Sequence, residues 1–235
     1  MKIIVFLNLM LASTILISQS AETEVKRNIF LDLNSSVNQN YIRLLNESAA
    51  LGNSNNLYFA FEDWTPIDVY SKKGDHIRID SANYHMHDDV MFFKNKGNLS
   101  YLFPQEIEKI ETHGITYIAL KDARSTKYLY YELLVDGDYK LLKKQELVKK
   151  KVNDHPMGIT HTPNEYKLVL KSKYLYHSSK NNNVEELPRK KNKLIKIFAR
   201  NRNRMVQYAR ESDLSPKSEE DLIRLFQFYN VLKDE

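Results

Sequence analysis

YLYYELLVDGDYKLLKKQE, residues 128–146, reads as two strands and a turn. Tyr, Leu and Val crowd both flanks. Between them Asp136-Gly137-Asp138 offers a glycine where a tight hairpin needs a positive φ. The same pattern repeats outward from this hairpin. Ile67–Ser71 and His76–Asp80 flank Lys72-Lys73-Gly74-Asp75, a second glycine turn. Further runs rich in Tyr, Val, Ile and Phe lie at Leu57–Phe61, Val90–Phe93, Leu99–Phe103, Ile107–Ile110, Ile115–Leu120, Tyr166–Leu170, Tyr174–His177 and Val184–Leu187. The links between them are too short for crossover helices, so the pairing is expected to be antiparallel.

Helical patterns flank this β-rich body. Val37, Tyr41, Leu44 and Leu45 form one stripe over 33–52, with Asn34 or Ser35 as cap and Gly52 as stop. From Leu187 to Arg210 the apolar positions recur near a 3.6 period. A second tail helix is expected from Ser218, with Asp221 three residues on and Leu222, Leu225, Phe226, Tyr229 and Leu232 as its stripe. Leu214-Ser215-Pro216 joins the two as a helical hairpin. The expected fold class is α+β: a largely antiparallel, curled or barrel-like sheet with an N-terminal helix and a C-terminal helical hairpin. Its expected divisions are 1–20, 21–187 and 188–235.

The first of these reads as a signal peptide. Lys2 precedes the apolar run Ile3–Ile17, and Ser18-Gln19-Ser20 offers a small-x-small cleavage pattern. The run is too short for a comfortable span, which needs about 20 apolar residues. The chain has no cysteine, which excludes disulfide staples, thiolate metal sites, cysteine nucleophiles and a lipidated cysteine. Net charge is +5, unevenly spread. Residues 189–210 are rich in Lys and Arg and hold no acid, and a second cluster spans Lys143–Lys151.

Three groups of residues invite functional readings. His85-Met86-His87-Asp88-Asp89, if extended, sets His85, His87 and Asp89 on one face, a donor set suited to Zn²⁺. The opposing reading is a wet strand end. His155 or His161 is a candidate third imidazole. Lys193, Lys196, Arg200 and Arg204 share a helix face that suits anionic lipid or polymer, or simply keeps a docked helix soluble. Trp64, beside Tyr58, Phe59 and Phe61, suits either sugar stacking or a core. No catalytic residue emerges: the chain lacks a nucleophile elbow, a phosphate loop, a zinc-protease helix and a dinucleotide fingerprint. No cofactor is implied. Nucleic acid is not an expected partner, because no nucleic-acid motif accompanies the charge.

The frame Phe61-Glu62-Asp63-Trp64-Thr65-Pro66-Ile67, the turn at Gly74, Asp89-Val90-Met91-Phe92, the Lys-rich tail and the ending Phe228-Tyr229-Asn230 resemble a group of exported proteins of Gram-negative bacteria whose activity is uncharacterised. The resemblance covers about 60–235. It implies export and a β-rich domain with a helical tail, and it brings no catalytic residue. The resulting expectation is an exported envelope protein, in the periplasm, cell envelope or outside, that binds or scaffolds a partner without catalysis. The partner is an envelope protein, an anionic lipid or a polymer. The alternatives are a metal-dependent hydrolase using His85, His87 and Asp89, and a peripheral binder of anionic lipid or polymer through the basic helix 189–210.

Overall fold

The computed structural model describes residues 30–32, 58–95, 98–122, 127–151, 166–180, 183–198 and 201–232. The helix expected over 33–52, the signal peptide, His155, His161 and Arg200 all lie outside the described residues. Eleven strands form one sheet in the order β1-β5-β4-β3-β2-β6-β7-β8-β9-β10-β11. They are β1 (Phe30–Asp32), β2 (Thr65–Ser71), β3 (His76–His85), β4 (Val90–Asn95), β5 (Asn98–Leu102), β6 (Ile107–Thr112), β7 (Ile115–Lys121), β8 (Tyr128–Val135), β9 (Tyr139–Lys151), β10 (Tyr166–Ser178) and β11 (Val184–Glu186). Every neighbouring pair is antiparallel, as the short links require.

Both glycine turns form as expected. Gly74 has φ 88° and Gly137 has φ 141°. The edge strands β1 and β11 are three residues each, short enough to discourage edge-to-edge pairing. The sequence reading assigned no element to residues 30–32, a run too short to show any periodicity. Over 58–61 the expected first strand reduces to a single bridge, Phe59 with His85. The two expected strands at 166–170 and 174–177 are one continuous β10, because the backbone ladder to β9 runs unbroken from Ser178↔Tyr139 to Tyr166↔Lys151.

The sheet curls but does not close. Tyr84 on β3 packs against Tyr117 on β7 and Tyr130 on β8, with ring centroids 5.4 and 5.9 Å apart. The concave face buries Ile67, Val69, Met91, Ile107, Ile110 and Tyr130. Among the described residues no ladder joins the two ends of the sheet, so it is not the barrel that its length would permit.

A second core forms where the tail docks on β8–β10. Three helices follow: α1 (Lys191–Ile195), α2 (Arg202–Glu211) and α3 (Glu219–Val231). The single basic helix expected over 189–210 is therefore broken. Like charges four apart, Lys196/Arg200 and Arg200/Arg204, disfavour one continuous helix. Burial of Phe198, fully enclosed against Tyr139, Phe226 and Tyr229, pins the chain between α1 and α2.

The hairpin between α2 and α3 forms as expected. Asp213 adopts φ 47°, and Leu214 N–H and Asp213 N–H donate back to Ala209 and Arg210 carbonyls, a Schellman ending with aspartate in place of glycine. Ser218 caps α3 by accepting from Asp221 N–H at 3.2 Å. The Asp221 carboxylate turns instead to Ser215 N–H at 3.0 Å, so only half of the capping box forms. Among the described residues no helix is long and apolar enough to cross a membrane.

Candidate functional site

β3 ends at His85, and residues 86–89 turn rather than continue the strand. The alternation that would put His85, His87 and Asp89 on one face therefore does not apply. His85 is buried, with Nδ1 2.9 Å from Asp88 Oδ2 and its ring among Tyr58, Phe59 and Phe92. Its Nε2 is buried without a hydrogen-bond partner. His87 is exposed at the turn, edge-on to Tyr58. Asp89 points elsewhere again, towards β8 and β9. Among the described residues no group of three or more His, Asp or Glu is placed to hold a metal ion.

Asp89 has a role that its spacing does not reveal. β8 and β9 pair only from Glu132↔Lys143 towards the turn, and beyond that point they separate. Asp89, at φ 58°, places its carboxylate in the gap. It accepts Tyr130 N–H at 3.2 Å, accepts the Tyr84 hydroxyl, and lies 3.4 Å from Lys144 Nζ. The carboxylate thus replaces the strand partner that Tyr130 lacks on the β9 side. Burial pushes its pKa up, against the pull of Lys144 and its hydrogen bonds. The neighbouring Asp88 is shifted the other way, held down by His85.

Where β9 leaves β8, a two-stranded arm begins. Residues 144–151 of β9 and 166–173 of β10 pair with each other and, among the described residues, with no third strand. Lys149, Lys150, Lys151 and Lys171 are exposed along it. At its root Lys143 Nζ sits 3.0 Å from Glu219 and 3.7 Å from Glu132, and Tyr174 Oη donates to Glu219 at 2.8 Å. Burial, with the neighbouring Glu219 charge, raises the pKa of Glu132 against the pull of Lys143. At Glu219 burial pushes upward too, but Tyr174 and Lys143 outweigh it and the net shift is down.

Two hollows adjoin this root. One of about 170 Å³ is bounded by Lys171, Lys173, Tyr174, Leu187 and Arg189, where arm and tail meet. A broader groove of about 490 Å³ runs along Tyr131, Lys144, Glu146, Lys173 and Glu186. In it Lys173 is 3.2 Å from Glu186, and Lys144 lies over the Tyr131 ring.

The other expected site residues are separate from this root. Trp64 packs with Phe59, Val90, Phe92 and Leu99, and Lys94 Nζ covers its ring at 4.4 Å. That leaves a partly covered ring in an apolar cluster rather than an open stacking platform. Lys193 and Lys196 are exposed at α1 and just after it, and Arg204 is exposed on α2. Residues 196–198 are not helical, so Lys193 and Arg204 lie on separate helices rather than on the shared face expected for them. Sequence reasoning registered the charge of Lys143–Lys151 but ended the strand at Glu146, and so missed the arm. The apolar pair Leu147-Val148 beyond Glu146, matched by Leu168-Val169-Leu170, was the available signal. Comparison with family models, curated proteins and solved structures finds no match to this chain.

Proposed function

We propose that the protein is an exported, non-enzymatic binding or scaffolding protein of the cell envelope, holding an anionic partner on the basic arm. One observation carries the reading: among the described residues, 144–151 and 166–173 pair only with each other, and they hold Lys149, Lys150, Lys151 and Lys171 away from the sheet. A solvated lysine row on a paired ribbon attracts anionic surfaces over about a Debye length, roughly 8 Å at physiological salt. The leader pattern of residues 1–20 supports export. The polar residues at 85–89 support a non-catalytic reading, since Asp88 and Asp89 are engaged by His85, Tyr130 and Lys144.

The test is expression in a Gram-negative host, followed by sequencing of the processed N-terminus and retention on isolated envelopes. A start near Ala21, with retention that added salt releases, is the expected result. An intact leader on cytoplasmic protein, or retention indifferent to salt, overturns it.

A further inference from the structure

The chemistry of the arm distinguishes among anionic partners. Leu147 stands opposite Leu170 in the ladder, with Leu168 beside them on the same face. Val148 stands opposite Val169 on the other face. Leu147, Val148, Leu168 and Val169 are half-buried, and Leu170 remains 44% exposed. Beyond these apolar pairs come Lys149, Lys150 and Lys151, all exposed, with Lys167 opposite Lys150. Lys171 flanks the apolar pairs on the side of the root. The only carboxylate in the strand segments 144–151 and 166–173 is Glu146, 3.9 Å from Lys173.

We infer that the arm is a membrane-contact element that docks on an anionic lipid bilayer, a deepening that rests on the binding role proposed above. A soluble polyanion would use the lysines but has no need of the leucine face. A second copy of the chain would set one lysine row against another. A bilayer surface answers both features. Phosphate headgroups take the ammonium groups, and the acyl boundary takes Leu147, Leu168 and Leu170 on one face of the ribbon, while the lysine stems reach outward. Charge complementarity therefore selects the occupant, and the apolar pairs select lipid over polymer. The arm is already paired through its own ladder, so docking does not require these strands to form at the surface.

The experiment is sedimentation with vesicles of phosphatidylglycerol and phosphatidylcholine in equal parts, against phosphatidylcholine alone, as salt is raised. All variants are made in the same chain, so any contribution of the apolar leader is common to them. The chain is expected to bind the anionic vesicles and to lose affinity with salt. The triple variant Lys149→Gln, Lys150→Gln, Lys151→Gln is expected to weaken binding by about fivefold per lysine. Leu168→Ser with Leu170→Ser is expected to weaken it further while leaving binding to soluble polyglutamate unchanged. Lys193→Gln with Lys196→Gln is the control and is expected to bind as the parent does. Loss of binding in that control with an unaffected arm triple overturns the arm as the contact. Binding to polyglutamate but not to anionic vesicles overturns lipid as the partner and leaves the binding role standing. No binding to either overturns both.

Discussion

Asp88 and Asp89 are adjacent, yet their environments separate them. Asp88 is stabilised as a carboxylate by His85, so its contribution to stability is present above the usual aspartate pKa and is lost as pH falls through its lowered value. Asp89 is raised by burial. Its contribution is fully present below the usual value and is lost as pH rises through its raised value. Carboxyl-carbon NMR titration is expected to find Asp88 titrating below 3.8 and Asp89 above it. Coincident titration would remove the account of both sites. At Asp89 the carboxylate also stands in for a strand partner. Asp89→Ala is expected to lower stability in denaturant by about 1–3 kcal/mol, the cost of an orphaned buried N–H. Asp89→Asn keeps an acceptor and tolerates the left-handed backbone, so it should retain most of that stability. Equal losses in the two variants would show that the hydrogen bond to Tyr130 contributes little. None of this was legible in residues 85–89 alone. The donor that gives Asp89 its role lies 41 residues away.

At the scale of elements, the β8–β9 hairpin and α3 secure each other. Asn230 accepts from Tyr139 N–H at 3.1 Å and donates to the Asp136 and Tyr139 carbonyls at 3.1 and 2.9 Å. A Cβ at Gly137 would lie 2.5 Å from Asn230 Cγ. Glycine is needed there twice, for φ 141° and for the room that Asn230 occupies. Gly137→Ala and Asn230→Ala are each expected to cost about 1–3 kcal/mol. In a double-mutant cycle the pair should cost less than the sum, because removing Asn230 removes the collision. Additive losses would mean that backbone strain alone explains the glycine. The hairpin was legible from Asp136-Gly137-Asp138, and the start of α3 from Ser218. Asn230 gave no local sign of its role, since a side chain that brackets a turn so far back in sequence is set by docking. The tail break was hidden for a related reason. Its apolar spacing is helical throughout, and the burial of Phe198 interrupts it.

At the scale of the whole molecule, two cores are built on one sheet. The concave face collects Tyr84, Tyr117 and Tyr130 with the aliphatic residues of β2 and β6. The tail collects Leu141, Phe198, Met205 and Phe226. The ladder of β8 to β9 between them is short, from Glu132 to Val135, and a smaller cluster of Ile118, Tyr131, Leu142, Leu175 and Val184 also spans it. Phe226 is fully buried, so Phe226→Ala is expected to cost about 3–5 kcal/mol in denaturant unfolding. A reduced denaturant slope alongside that loss would show the tail separating from the sheet before it unfolds, whereas an unchanged slope means that the two cores unfold together.

Local chemistry settled the parts that depend on neighbours in sequence. Glycine turns, strand runs, short links, the Ser218 cap and the absence of cysteine were all readable, because turn conformation and period act over a few residues. The tertiary structure decided the rest. It curled the sheet without closing it, extended β9 and β10 into an arm, broke the basic tail and placed Asp89 between separating strands. Each of these depends on which distant groups are buried together. Burial is a property of the folded chain, and no window of sequence contains it.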